Sequence, residues 1–257
     1  LKNITIIGNG NMAFAIAKGL SKDYKLKVVG RDISKLKKFR DDLDKDIEIV
    51  ELKDGFSINN ENIILAVKPY AVDEVSKLLT GKAEKLFSVL AGTTLSKLRD
   101  KFESKHYVRA MPNLSALFQK SMTSLAGDKS AKEDAIALFS SIGLTIWFES
   151  EDEIDVATAI AGSGPAYLSL VAEALADGGV KAGLKRADAQ KLVAGLFRGF
   201  SPLLKHHKPA EIKDSVMSPK GTTAYGYASL EERGVRSAFI KAVESAHQRA
   251  VVLGITE

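Results

Sequence analysis

Residues 8–13 read Gly-Asn-Gly-Asn-Met-Ala, between the apolar run Ile4, Ile6, Ile7 and the helical stretch FAIAKGL. A GxGxxA spacing where a strand meets a helix suits a dinucleotide diphosphate. Gly8 allows the tight turn, Gly10 lets backbone approach the phosphates, and the small Ala13 lets helix pack on strand. The amides of Asn11, Met12 and Ala13, at the start of that helix, lack internal partners and would face the anion. The plainer alternative is a glycine-rich turn with no ligand.

The next strand, KLKVVG, ends at Gly30 and is followed by Arg31, Asp32, Ser34 and Lys35. At this place an acid binds a ribose 2′-hydroxyl, whereas an arginine just beyond binds a 2′-phosphate. Arg31 therefore favours NADPH. Asp32 keeps NADH open, because a register one or two residues different would put an acid in the pocket. Two further runs end in turns where open α/β sheets bind ligands. NIILAVKPY presents Ala66, Val67, Lys68 and Pro69, and VRAMPN presents Pro112 and then Asn113, a side chain that both donates and accepts. Loops that merely turn are the bland reading of each.

The elements that must carry these residues follow from the pattern. Up to about residue 150, short apolar runs (ITIIG, KLKVVG, NIILAV, LFSVL, HYVRA, MTSLA, LTIWF) alternate with helical stretches, which predicts an α/β domain with a doubly wound, mostly parallel sheet. Thereafter apolar residues recur at spacings of three and four, which predicts an all-α half. We expect a dinucleotide-binding, Rossmann-like domain over residues 1–151 and an all-helical domain over 152–257, the change falling where acids suit a helix N-terminus. Ile160, Leu168, Leu170, Leu175, Leu192 and Leu196 are more apolar surface than a small bundle hides, so a second subunit is expected to cover them, with a compact monomeric bundle as the alternative.

Composition narrows the chemistry. With 45% hydrophobic residues the chain can build a sizeable core, and with no cysteine it has no disulfide, thiolate metal site or thiol nucleophile. The net charge of +5 is spread along the chain with no nucleic-acid-reading motif beside it. No metal site is expected. The sequence opens straight into its first apolar strand, and no apolar run is expected to approach the roughly 20 residues that span a bilayer. A soluble cytoplasmic protein with no membrane partner is the expectation.

A nicotinamide enzyme often needs an acid to protonate its substrate, and none stands out. His106 begins a strand, His206 and His207 lie in a Lys-flanked turn, and His247 is in the last helix. Gly162-Ser163-Gly164 begins the GxGxxxKxxxN pattern of β-hydroxyacid dehydrogenases, but its Lys and Asn positions hold Leu168 and Ala172. That chemistry lacks its proton donor here.

GNGNMA, AVKP, RAMPN, AGSGPAYLSLVAEALADGGVKAGL and SPKGTTAYGYASLE, in this order and spacing, resemble the pyrroline-5-carboxylate reductase family across essentially the whole chain. The resemblance implies a Rossmann-like domain that binds NAD(P)H and a helical domain that interlocks with a partner's into a homodimer, sometimes assembled into larger rings. It also implies hydride addition to the imine carbon of 1-pyrroline-5-carboxylate, giving L-proline as the last step of proline biosynthesis. In the family, the loop matching SPKGTT binds the substrate carboxylate through backbone amides, here those of Gly221, Thr222 and Thr223. The hydroxyl matching Thr223 contacts the ring nitrogen. Where the family commonly has glycine, this chain has Lys220.

The resemblance thus places the cofactor along residues 8–13, Arg31, residues 66–69 and Ala91. The substrate is expected between Asn113 and the loop that includes Val216, Ser218, Gly221, Thr222 and Thr223, with Thr223 as the catalytic hydroxyl. An imine is more basic than a ketone, so a hydroxyl or water suffices to protonate it, and the missing acid becomes intelligible. Ser218 or Thr222 acting only as a helix cap is the structural alternative. Other functions kept open are another imine or 3-hydroxyacid reductase, and a non-catalytic nucleotide-sensing dimer.

Overall fold

The structure, a computed structural model, describes residues 2–256, with nothing stated for the side chains of the last two of these. Ten strands are assigned: β1 (Asn3–Ile7), β2 (Lys25–Gly30), β3 (Glu48–Glu51), β4 (Phe56–Ser57), β5 (Asn62–Leu65), β6 (Leu79–Thr80), β7 (Ala83–Ser88), β8 (Ser104–Met111), β9 (Ser121–Gly127) and β10 (Gly143–Trp147). Among them run α1 (Asn11–Leu20), α2 (Ile33–Leu43), α3 (Val72–Leu78), α4 (Leu95–Lys101) and α5 (Lys132–Ser140). Eight strands form one sheet in the order β10-β9-β8-β7-β5-β1-β2-β3, parallel except for the β8–β9 pair, and β4 and β6 form a small ribbon. The order reverses between β1 and β5, so a ligand crevice opens at the carboxyl ends of those strands.

Neighbouring residues on the central strands point to opposite faces, and both faces are covered. Ile6, Val28, Ile64, Phe87 and Val108 pack with Ile16 and Leu20 of α1, Leu36 and Phe39 of α2, and Leu138 and Phe139 of α5. Ile7, Val29, Leu65 and Leu86 pack on the other side with Val72 and Val75 of α3 and Leu98 of α4. Each large side chain so buried contributes about 1.5–3 kcal/mol, which is why these strands read as continuous apolar runs rather than alternating ones. The expected doubly wound sheet is present. The edge strand β3 is an addition: its four residues, Glu48, Ile49, Val50 and Glu51, begin and end in glutamate, and none is fully buried.

From Asp152 the chain is helical: α6 (Asp152–Ala157), a π turn (Thr158–Gly162), α7 (Gly164–Lys181), α8 (Arg186–His206), α9 (Pro209–Val216), α10 (Thr222–Glu232) and α11 (Val235–Thr256). Two compact units result. One holds the chain up to Ser163 and again from Ser245 onward, and the other is Gly164–Glu244. The change of residue pattern near 151 therefore precedes the packing boundary by about a dozen residues. The reason is that α6 and the π turn pack with the sheet domain, burying Ile154 and Ala159.

The second unit is poor in core. Its buried hydrophobic residues are Ala176, Ala189 and Ile212, whereas Leu168 is 54% exposed, Leu192 62% and Ile240 55%. Apolar surface on this scale marks a face covered by another chain or by lipid. The helical run of 30 residues from Asp152 to Lys181 is in fact long and apolar enough, by length and composition, to cross a bilayer, contrary to the expectation that no such run exists. Gly162, Ser163, Gly164 and Pro165 lie within that run.

Candidate active site

Gly8 follows β1 with φ of +121°, and its amide donates to the Val29 carbonyl at 2.8 Å. A Cβ there would lie 2.4 Å from the Ala66 carbonyl oxygen, so only glycine lets the first turn close onto the loop leaving β5. Gly10 caps α1 without any side-chain hydrogen bond. The first internal bond runs from the Phe14 amide to the Gly10 carbonyl at 2.9 Å, so the amides of Asn11, Met12 and Ala13 have no acceptor within the helix. A Cβ on Gly10 would meet no atom within 4 Å. Open space in front of free amides, with no acid in the first turn of α1, fits a dinucleotide diphosphate. Ala13 is fully buried, as close packing of helix on strand requires.

At the end of β2 the two charged candidates separate. Asp32 is the N-cap of α2, and its Oδ1 accepts from the amides of Ser34 (2.9 Å) and Lys35 (3.2 Å). One oxygen of this carboxylate is engaged in holding a helix. Arg31 remains, more than half exposed, with Nη1 at 2.5 Å from Oε2 of Glu74 in the first turn of α3. Beside Glu74, a hydrogen bond from Lys101 at 2.8 Å holds the Asp73 carboxyl below its ordinary pKa.

The other expected cofactor residues lie on the same edge. The Ala66 amide donates to the Ile7 carbonyl (2.8 Å), and Pro69 opens a single turn of 3-10 helix that leads into α3. Beyond β7, Ala91 is exposed and Gly92 turns with φ of +67°, packed against Leu253 near the end of the chain. Because β2, β1, β5, β7 and β8 are consecutive parallel neighbours, residues 8–13, 31, 66–69, 91 and 113 are all brought to one sheet edge.

Asn113 is there too, but its side chain is already engaged. Its Nδ2 donates to the Ala161 carbonyl (2.9 Å) in the π turn, and its Oδ1 accepts from the Ser115 amide (3.2 Å). These two bonds use one of its two amide protons and one of the two lone pairs of Oδ1, and they hold the π turn at the sheet edge. Residues that sequence reasoning passed over sit behind it. Arg109 of β8 is 4% exposed and reaches Glu151 and Asp155, each at 3.0 Å, while Glu151 Oε2 also accepts from the Leu95 amide at 2.9 Å. An arginine within the otherwise apolar run YVRAM was the available signal.

In the second unit, Ser218, Pro219, Lys220 and Gly221 form a turn closed by the Gly221 amide on the Ser218 carbonyl at 2.9 Å. Lys220 has φ of +60°, in the third position of that turn, where glycine is favoured. The Gly221 amide is therefore used within the turn and is not free for a carboxylate, a correction to the expected set. Gly221 caps α10 with no side-chain hydrogen bond, so neither Ser218 nor Thr222 acts as the cap. The amides of Thr222 and Thr223, both exposed, begin the helix without internal acceptors. Val216 ends α9 and is exposed.

Comparison with known proteins agrees with this arrangement. Residues 151–253 match the model for pyrroline-5-carboxylate reductase dimerisation, and residues 3–92 match that for coenzyme F420-dependent NADP oxidoreductases. A pyrroline-5-carboxylate reductase from Helicobacter pylori is 36% identical, over 93% of this chain and 95% of that protein. One from Synechocystis is 42% identical over 84% of each. Among solved structures, a pyrroline-5-carboxylate reductase from Coxiella burnetii superposes with a TM-score of 0.83 at 29% identity, covering 98% of both chains. The Plasmodium falciparum pyrroline carboxylate reductase with NADP bound gives 0.77 at 28% identity, over 98% of this chain and 99% of that one. A glycine-turned parallel sheet and a core-poor helical unit are thus found in a chain that belongs to the pyrroline-5-carboxylate reductase family of NAD(P)H-dependent oxidoreductases.

Proposed function

We propose that this protein reduces 1-pyrroline-5-carboxylate to L-proline with NADPH. The observation that carries the reading is the start of α10, which no side chain caps, where two amides without internal acceptors and two threonine hydroxyls on exposed residues stand beyond a closed turn. A small carboxylate is the ligand such an end accommodates. In this reading Thr222 and Thr223 donate their amides to the substrate carboxylate, and the Thr223 hydroxyl contacts the ring nitrogen. The nucleotide lies along Gly8, Gly10, Asn11, Met12 and Ala13, with Arg31 at the 2′-phosphate and residues 66–69 and 91 lining its path. Asn113 and Arg109 hold the π turn and α6 in place.

When bound, the dihydronicotinamide supplies a hydride, which adds to the carbon of the C=N bond. The π electrons pass to the nitrogen, which gains or already carries a proton, so the product is a secondary amine. The chain's own part is to orient the ring by its carboxylate and keep a hydroxyl at the nitrogen. No strong acid is required, because the imine nitrogen is basic enough to take its proton early.

The same reading makes the protein a homodimer through its helical unit, the partner covering Leu168, Leu192 and Ile240, and allows larger rings. It also places the enzyme in the cytoplasm, where NADPH is kept reduced. The test is nicotinamide absorbance with pyrroline-5-carboxylate, other cyclic imines and 3-hydroxyacids, using NADPH and NADH. Fastest oxidation with pyrroline-5-carboxylate and NADPH is expected. Turnover of another substrate class would reassign the enzyme, and nucleotide binding without any turnover would make it a sensor.

A further inference from the structure

The pair between Arg31 and Glu74 occupies the place where the cofactor reading needs a free guanidinium. Arg31 leaves the end of β2 and Glu74 stands in the first turn of α3, 43 residues later, on the far side of the β1 and β5 turns. Both side chains are more than half exposed, at 54% and 59%. An exposed pair of this kind adds little to the fold and is readily exchanged for a better partner. The neighbouring charges are already committed: Asp32 caps α2 and lies 3.8 Å from Lys35, and Asp73 is held by Lys101.

We propose that Glu74 is a specificity-determining residue that sets the ratio of NADPH to NADH binding by competing with the 2′-phosphate for Arg31. A phosphate offers the guanidinium two charge-assisted bonds and carries more charge than a carboxylate, so it displaces Glu74 but then lies near its negative charge. With a ribose 2′-hydroxyl the relation reverses. Glu74 stays on Arg31, and its carboxylate is an acceptor for the hydroxyl, the part an acid at the end of β2 plays in NAD-preferring sites. Asp32, by contrast, spends Oδ1 on capping α2. The acid that moderates the preference thus comes from α3 instead of β2.

This inference rests on the cofactor reading, so its test measures binding apart from turnover. NADPH and NADH are titrated by nucleotide fluorescence, without substrate and at one ionic strength, into the full-length protein and its Glu74→Gln, Arg31→Ala and doubly substituted forms. Thermal melting confirms that these surface substitutions leave the fold intact. The ratio of the NADH to the NADPH dissociation constant is expected to rise about threefold to fivefold in Glu74→Gln, the upper end of what one exposed charge contact contributes. In the Arg31→Ala background, Glu74→Gln is expected to change that ratio by less than about twofold, because the coupling between neighbours is gone. An unchanged ratio in Glu74→Gln alone, or an equal gain without Arg31, would overturn the proposal. Failure of the unsubstituted protein to bind either nucleotide would remove the cofactor reading itself and this inference with it.

Discussion

The carboxamide of Asn113 donates to the carbonyl of Ala161 across 2.9 Å, joining the carboxyl end of β8 to the π turn between α6 and α7. A π turn is a local widening of the helix and is common at functional sites. Here a side chain from the carboxyl edge of the sheet holds its carbonyl. Replacing Asn113 with Ala removes the donor and should cost about 1–3 kcal/mol of stability. It should lower kcat more than nucleotide affinity, since none of the cradle amides depends on it. Urea unfolding and NADPH titration of the variant check both parts; an unchanged stability would mean the bond carries no load.

The two glycines of the first turn should separate fold from function. Gly8→Ala forces a Cβ into the Ala66 carbonyl and a side chain into positive φ, a strain of about 1–3 kcal/mol before the clash is counted. Gly10→Ala meets nothing in the protein and should cost at most about 1 kcal/mol, the difference between glycine and alanine at a cap. Yet its methyl group would stand where the phosphates approach. Nucleotide affinity should therefore drop at least about tenfold in Gly10→Ala while the melting temperature barely moves. Full affinity in that variant would move the diphosphate elsewhere.

Arg109 is buried against the partly buried Glu151 and Asp155, and truncating it leaves two carboxylates without their cation. Arg109→Met should destabilise the protein by about 3–5 kcal/mol. Arg109→Lys should recover only part of this, because one ammonium lacks the planar fork that meets two carboxylates at once. Equilibrium unfolding of the three proteins tests it, and a loss below 1 kcal/mol would show that the triad is not structural.

Thr223→Ala should lower turnover about tenfold to a hundredfold, the scale of one hydrogen bond lost from a reacting group. Nucleotide affinity should stay as it was. Thr223→Ser keeps the hydroxyl and should restore most of the rate. Equal activity in all three forms would take Thr223 out of the mechanism.

The glycine turn and the sheet were legible because they rest on local rules. A GxGxxA turn and runs such as ITIIG and KLKVVG declare themselves within a few residues of sequence. What stayed hidden depends on residues far apart. Nothing near Arg31 announces Glu74, nothing in VRAMPN announces that Asn113 will bond to Ala161, and the partners of Arg109 lie more than 40 positions away. Asp32 was visible as an acid but not as a cap, since both readings use the same residue in the same place. The edge strand β3 was missed because glutamates flank its two apolar residues. In SPKGTT the turn was evident, but which amides it leaves free was not: Gly221 closes the turn, and only Thr222 and Thr223 remain.

Transfer of the label from NADPH bearing deuterium at the donated position of its nicotinamide tests the central claim most directly. With 1-pyrroline-5-carboxylate and the purified protein, the account predicts proline one mass unit heavier, its deuterium on the ring carbon that had been the imine carbon. NADPH oxidation that yields unlabelled proline, or no proline, would contradict it.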